Sequence, residues 1–129
     1  MDISNQLPTH ILNHLLNNEA YCRRVIPYLQ KEYFEGTHAT VFDLIVKFVA
    51  KSNKLPTGKV LDLELRKIQA PDDVLNNAAK LVTEINFKSD IDTDYMIAET
   101  EKWCRDRAVY NAIMDSIQII DGKSQDQSE

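Results

Sequence analysis

The stretch "THATVFDLIVKFVAKSNK", residues 37–54, is apolar almost all the way round a helix. Only Thr40, Asp43, Lys47 and Lys51 recur at three- and four-residue intervals, and they make one narrow wet stripe. Such a helix has to be wrapped by other apolar faces. The chain is therefore expected to form a helical domain with this segment at its centre. Asp43 and Lys47 lie one turn apart and are expected to pair on the stripe.

The rest of the sequence supplies the wrapping faces. "LPTHILNHLLNN" puts Ile11, Leu12, Leu15 and Leu16 on one face, with Pro8 suited to a first turn. "EAYCRRVIPYLQKEYF" continues with Val25, Ile26, Leu29, Tyr33 and Phe34; Pro27 should kink or split it, and Gly36 can close it. In "LPTGKVLDLELRKI", Thr57 reads as an N-cap before a face of Leu61, Leu65 and Ile68. "APDDVLNNAAKLVTEINF" opens with Pro71 and two acids and carries Val74, Ala78, Leu81 and Ile85 as its stripe. After the polar connector "KSDIDTD", the last helix is expected from about Thr93 to Asp121, with Gly122 as its stop. Three glycines and four prolines in 129 residues leave few turns, which disfavours an all-β sandwich. The predicted fold is all-α: a compact multi-helix head over 1–88, a long C-terminal helix over 89–122, and a polar tail over 123–129.

Net charge is −5, which argues against a general nucleic-acid-binding surface because phosphate contacts need clustered Lys and Arg; a local basic patch stays open. Cys22 and Cys104 are far apart and form no CxxC, so they read as reduced thiols of a cytosolic protein. The first residues lack the basic and apolar regions of a signal peptide. The longest apolar run carries Asp43 and Lys47, so no membrane span is expected.

Candidate chemistry is sparse. Asp90, Asp92 and Asp94 with Glu101 match positions 1, 3, 5 and 12 of an EF-hand loop, but Tyr95 stands where the sharp turn needs glycine. These acids read instead as helix-start residues beside unpartnered N–H groups. His10 and His14 have the spacing of helical metal ligands, but there is no HExxH, and beside Asn13 and Asn17 they read as a solvated face. No GxxxxGK[ST] loop is present to hold a nucleotide's phosphates, and no GxSxG or catalytic cysteine setting appears. No catalysis, cofactor or metal is expected of this chain alone.

The last helix is the informative one. Met96, Trp103, Tyr110 and Ile117 repeat every seven residues, and Ile113 and Ile120 add the second heptad position in the C-terminal half. Glu99 and Asp106 occupy the corresponding earlier positions, so the seam is clean only after Arg107, where Val109, Met114 and Ile119 widen it. A helix of about 29 residues is a rod of roughly 43 Å. About 90 preceding residues make a globule only about 33 Å across. The apolar end is expected to overhang and to meet another copy, another protein or further chain; the opposing expectation is that it folds back over the head. Expected interface residues are Trp103, Arg107, Val109, Tyr110, Ile113, Met114, Ile117 and Ile120.

These segments, in this order, resemble the N-terminal domain of DnaB-type hexameric replicative DNA helicases, in the form found in T-even-like phages. The resemblance rests on Asn18-Glu19, the aromatic pair Tyr33-Phe34 in Lys31-Glu32-Tyr33-Phe34, His38-Ala39-Thr40-Val41-Phe42, Leu55-Pro56-Thr57, the run from Leu61 to Ile68, and Arg105-Asp106-Arg107-Ala108. Each motif is mostly packing residues; their order and spacing together are the signal. The resemblance implies a helical head followed by a helical hairpin. Hairpins of neighbouring subunits pair into dimers, the domains form a collar on a hexamer, and the collar takes part in binding primase and other replisome proteins. A following RecA-like domain would hydrolyse nucleoside triphosphate and drive 5′-to-3′ unwinding in the cytoplasm of a bacterial host.

This sequence has no RecA-like domain and at most the first arm of the hairpin. It is expected to be either a piece of a longer chain or a small free-standing relative. The rival reading is a stand-alone adaptor that binds a replicative helicase; a helical module unrelated to replication is a third. Whether single-stranded DNA touches the domain is left open.

Overall fold

Prolines, asparagines and short polar side chains set the element boundaries. The computed structural model describes residues 6–127, with backbone alone for 121–127. Helix α1 (Leu7–Asn17) carries Pro8 in its first turn, where a missing N–H costs no helical bond. Asn18 is extended, and its side chain accepts the Tyr21 N–H at 3.0 Å, starting α2 (Glu19–Val25). Pro27 splits the next segment, as expected: the chain leaves α2 through 3-10 turns at Ile26–Tyr28 and Lys31–Tyr33.

Gly36 does not close that segment. It opens α3 (Gly36–Ser52) with φ 54, a left-handed backbone that favours glycine. Thr57 caps α4 (Gly58–Arg66) by accepting the Val60 N–H at 3.2 Å. Helix α5 spans Asp72–Ile85 with Asp72 and Asp73 in its first turn. Asp92 accepts the Tyr95 N–H at 3.0 Å at the head of α6 (Thr93–Gln127), so this acid serves helix-start chemistry. All regular structure among the described residues is helical.

Two expectations about α6 and the tail change. The helix runs through Gly122 to Gln127, so the glycine is no stop, and residues 123–127 of the expected tail are helical. Residues 128–129 lie outside the described ones. A lone glycine costs a helix only about 1 kcal/mol, less than neighbouring turns can supply.

The centre of the head is α1 rather than the apolar segment 37–54. Helix α1 packs on α2, α3, α5 and α6. Seven of its eleven residues are buried, which places it at the hub. Helix α3 buries Val41, Phe42, Leu44 and Ile45 but leaves Ala50 exposed and Phe48 half-buried. Its wet stripe behaves as expected: Lys47 pairs with Asp43 at 2.8 Å.

The supposedly solvated face of α1 is also corrected. His14 and Asn13 are buried. The Asn13 amide Nδ2 donates to the carbonyls of Ile85 and Phe87 at 2.7 and 2.6 Å, which ties α1 to the end of α5. Asn17 donates to the same Phe87 carbonyl at 2.9 Å. His14 shares 2.9 Å with the His10 carbonyl through Nδ1 and sets its ring edgewise against Tyr21. Polar side chains stay buried here because the C-terminal carbonyls of α5 lack helical partners and need donors.

Asn13→Ala should therefore lower stability by about 1–2 kcal/mol, the loss of two hydrogen bonds whose carbonyl acceptors keep the Phe87 N–H and the Asn17 amide as second donors. A urea midpoint that falls while the slope holds would show it; an unchanged midpoint would count against the bond's importance.

Candidate functional site

Helix α6 has two halves with different surroundings. In the first, Met96, Thr100 and Cys104 are buried against the head. The Thr100 and Tyr21 hydroxyls share a hydrogen bond of 2.7 Å, so a polar pair is satisfied inside that contact. Trp103 then wedges beside the aromatic pair: its ring lies 4.9 Å from Phe34 and edge-on to Tyr33 at 6.2 Å, and Phe34 stacks on Phe42 of α3 at 4.6 Å.

The joint ends with two side chains that bond to the second 3-10 turn. Arg107 Nε donates to the Tyr33 carbonyl at 3.0 Å, its Nη2 lies 3.5 Å from Glu35 Oε1, and its guanidinium sits 4.9 Å over the Tyr110 ring. Asn111 Nδ2 donates to the Glu32 carbonyl at 3.1 Å. Asn111 was missed in the sequence, where a lone asparagine between apolar neighbours gives no sign of a distant carbonyl.

Beyond Asn111 the helix leaves the head. Ile113, Ile117 and Ile120 keep 55%, 45% and 63% of their surface in solvent. Tyr110, Val109, Met114 and Ile119 are exposed beside them. Thirty-five residues make α6 a rod of about 52 Å, of which about 24 Å lies past Asn111. The described side chains do not fold back. Of the eight expected interface residues, Trp103 and Arg107 are engaged with the head. Val109 and Tyr110 are exposed at the joint, and Ile113, Met114, Ile117 and Ile120 stand on the overhang. Each large apolar side chain left in water forgoes roughly 1.5–3 kcal/mol of burial.

Chemistry at the joint is subdued. Burial pushes the Cys104 thiol up to about 11, and Cys22 likewise to about 11, so both stay protonated and unreactive near neutral pH. Both are free and buried. No group of three or more His, Cys, Asp or Glu among the described residues is placed to hold a metal ion. No helix there is long and apolar enough to cross a membrane. The residues around the joint can position and bind; they present no nucleophile paired with a base.

Comparison with known proteins agrees with the residues that suggested a relationship. No protein-family profile matches the chain. Over 110 residues, 84% of its length, the chain is 31% identical to a DnaB-like replicative helicase of Enterobacteria phage T4. That match covers 23% of the helicase, so the chain spans about a quarter of that relative's length. The extent fits one domain of such a protein, and the expected resemblance is shown.

His38, in the first turn of α3, lines a hollow with Trp103 and Arg107 and meets Thr9 Oγ1 through Nε2 at 2.9 Å. Burial lowers its pKa from the ordinary 6.5, against a smaller upward pull from Glu84. The unfolded chain then takes up this proton first. The contribution is complete above about pH 6.5 and is lost as pH falls from there through the lower folded value. Urea midpoints at about pH 7.5 and 5.5 should differ more for the parent than for His38→Gln, which keeps a hydrogen-bonding side chain but does not titrate. Equal differences would refute the assignment.

Proposed function

We propose that the chain is the N-terminal collar domain of a replicative helicase, a non-catalytic module for subunit association and for binding primase and other replisome proteins. The observation that carries this reading is the apolar stripe on the α6 overhang, in a chain similar to a DnaB-like replicative helicase. Tyr110, Ile113, Ile117 and Ile120 form the seam, with Val109 and Met114 beside it. In this reading α6 is the first arm of a hairpin. Arms from neighbouring subunits pair, and the pairs build a hexamer in which the heads remain separate units. NTP hydrolysis and 5′-to-3′ unwinding belong to a RecA-like domain of the whole protein, acting in the cytoplasm of a bacterial host.

The division of labour within α6 supports this. Trp103 and Arg107 secure the helix to the head, so the stripe beyond them can engage a partner without dismantling the core. Binding must offset lost translational and rotational freedom, so pairing through one arm alone is expected to be weak.

The test is the double substitution Ile113→Asp with Ile117→Asp. Sedimentation should show reduced self-association, or a pull-down reduced primase binding, while circular dichroism shows a folded head. Unchanged association and binding would place the interface elsewhere, and global unfolding would return the stripe to the head's own core. The chain should also show no ATP hydrolysis, because it has no phosphate-binding loop; turnover that survives repurification would refute a non-catalytic role.

A further inference from the structure

A second surface lies between α3 and the end of α4, where a hollow of about 330 Å³ opens. Its floor is apolar. Leu44 is buried, while Phe48 and Ile68 keep part of their surface open to the hollow. Its rim is basic. Lys47 Nζ meets Asp43 Oδ2 at 2.8 Å, and Lys31 approaches the same carboxylate at 3.7 Å. Lys67 Nζ lies 3.3 Å from Glu64 Oε1. Lys51 has no ion-pair partner among the described residues. Lys47, Lys51 and Lys67 against Asp43 and Glu64 leave the hollow one positive charge in surplus, with Lys31 just outside its lining, on a chain of net charge −5.

These ion pairs do not lock the rim. The Lys47 and Lys67 side chains are 75% and 71% exposed, and pairs in water at that exposure contribute at most about 1 kcal/mol. The lysines can exchange their partners for a ligand's carboxylates at little cost. The hollow is also separate from the overhang: α4 packs on α3 and α5, whereas α6 packs on α1, α2 and the second 3-10 turn.

We propose that this trough docks an acidic amphipathic helix from another protein. Large apolar side chains spaced i, i+3, i+4 and i+7 would cover Phe48 and Ile68, and flanking carboxylates would meet Lys47, Lys51 and Lys67. Charge complementarity selects this occupant. A nucleic-acid strand fits less well, because a phosphate backbone would leave the apolar floor of Phe48 and Ile68 uncovered, whereas an amphipathic helix covers it. The acidity of the rest of the chain is screened beyond about 8 Å at physiological salt, so the local lysines dominate at contact. The proposal is independent of subunit pairing through α6.

The probe is a fluorescein-labelled synthetic helix of about 16 residues with Leu at those spacings and Glu on its other face, titrated by anisotropy. Saturable binding is expected, weakened about tenfold or more by Lys51→Glu with Lys67→Glu in a variant whose thermal melt matches the parent. Ile113→Asp with Ile117→Asp should leave this binding unchanged. A scrambled peptide of the same composition that binds equally well would reduce the effect to bulk charge and overturn the proposal. So would an oligo-dT strand that binds more tightly with the same lysine dependence, or no saturation below about 1 mM peptide.

Discussion

The amide of Asn13 holds the head together at the point where apolar packing alone would fail. Helix α1 lies against four other helices, and the end of α5 brings the Ile85 and Phe87 carbonyls into that contact. Two hydrogen bonds from one side chain reach them, beside those of the Phe87 N–H and the Asn17 amide. With α5 docked, Asn86 approaches the start of α4 so closely that a Cβ on Gly58 would meet its side chain at 2.8 Å. A larger residue at Gly58 would make the Asn86 side chain shift, whereas Gly36 is needed for backbone conformation. The remaining faces of α1 seat α2, α3 and the first half of α6, so the placement of the long helix depends on a hub that is partly polar.

Much of this was legible in the sequence because it is local. Pro27 splits its segment, Thr57 caps α4, and Asp92 starts α6, each through chemistry confined to a few residues. The all-α architecture and the exposed stripe at Tyr110, Ile113 and Ile117 follow from helical periodicity in the same way. What was illegible depends on distant partners. His14 and Asn13 sit in a polar context that reads as wet, and only carbonyls more than 70 residues away make Asn13's burial tolerable. Trp103 shares a heptad position with the exposed Tyr110 and Ile117, and nothing in the pattern reveals that Tyr33 and Phe34 stand opposite it or that Arg107 reaches the Tyr33 carbonyl. The central position passed from α3 to α1 for a related reason: hydrophobicity marks what can be buried, and connectivity decides what is surrounded.

The two candidate surfaces differ in physical kind. The α6 stripe is broad, aliphatic and nearly uncharged, which suits a partner held by buried area. The trough between α3 and α4 is small, with a basic rim over an apolar floor, which suits a charged segment that arrives quickly and leaves readily. A domain carrying both can hold one neighbour persistently while exchanging another.

The continuity of α6 has a consequence for how a partner helix could lie along it. Met96, Trp103, Tyr110 and Ile117 share a heptad phase that drifts only about 20° per repeat in a straight helix. The deepest head contacts follow a different row, Met96, Thr100 and Cys104, so Ile113, nine residues beyond Cys104, stands about half a turn away from it round the rod. Heptad seams are prone to slip by whole repeats, since each shift restores similar contacts. Here Tyr110, held under the Arg107 guanidinium that also bonds to the Tyr33 carbonyl, differs from Ile117 one repeat on, so a slip by a whole repeat along this face does not restore the same contacts.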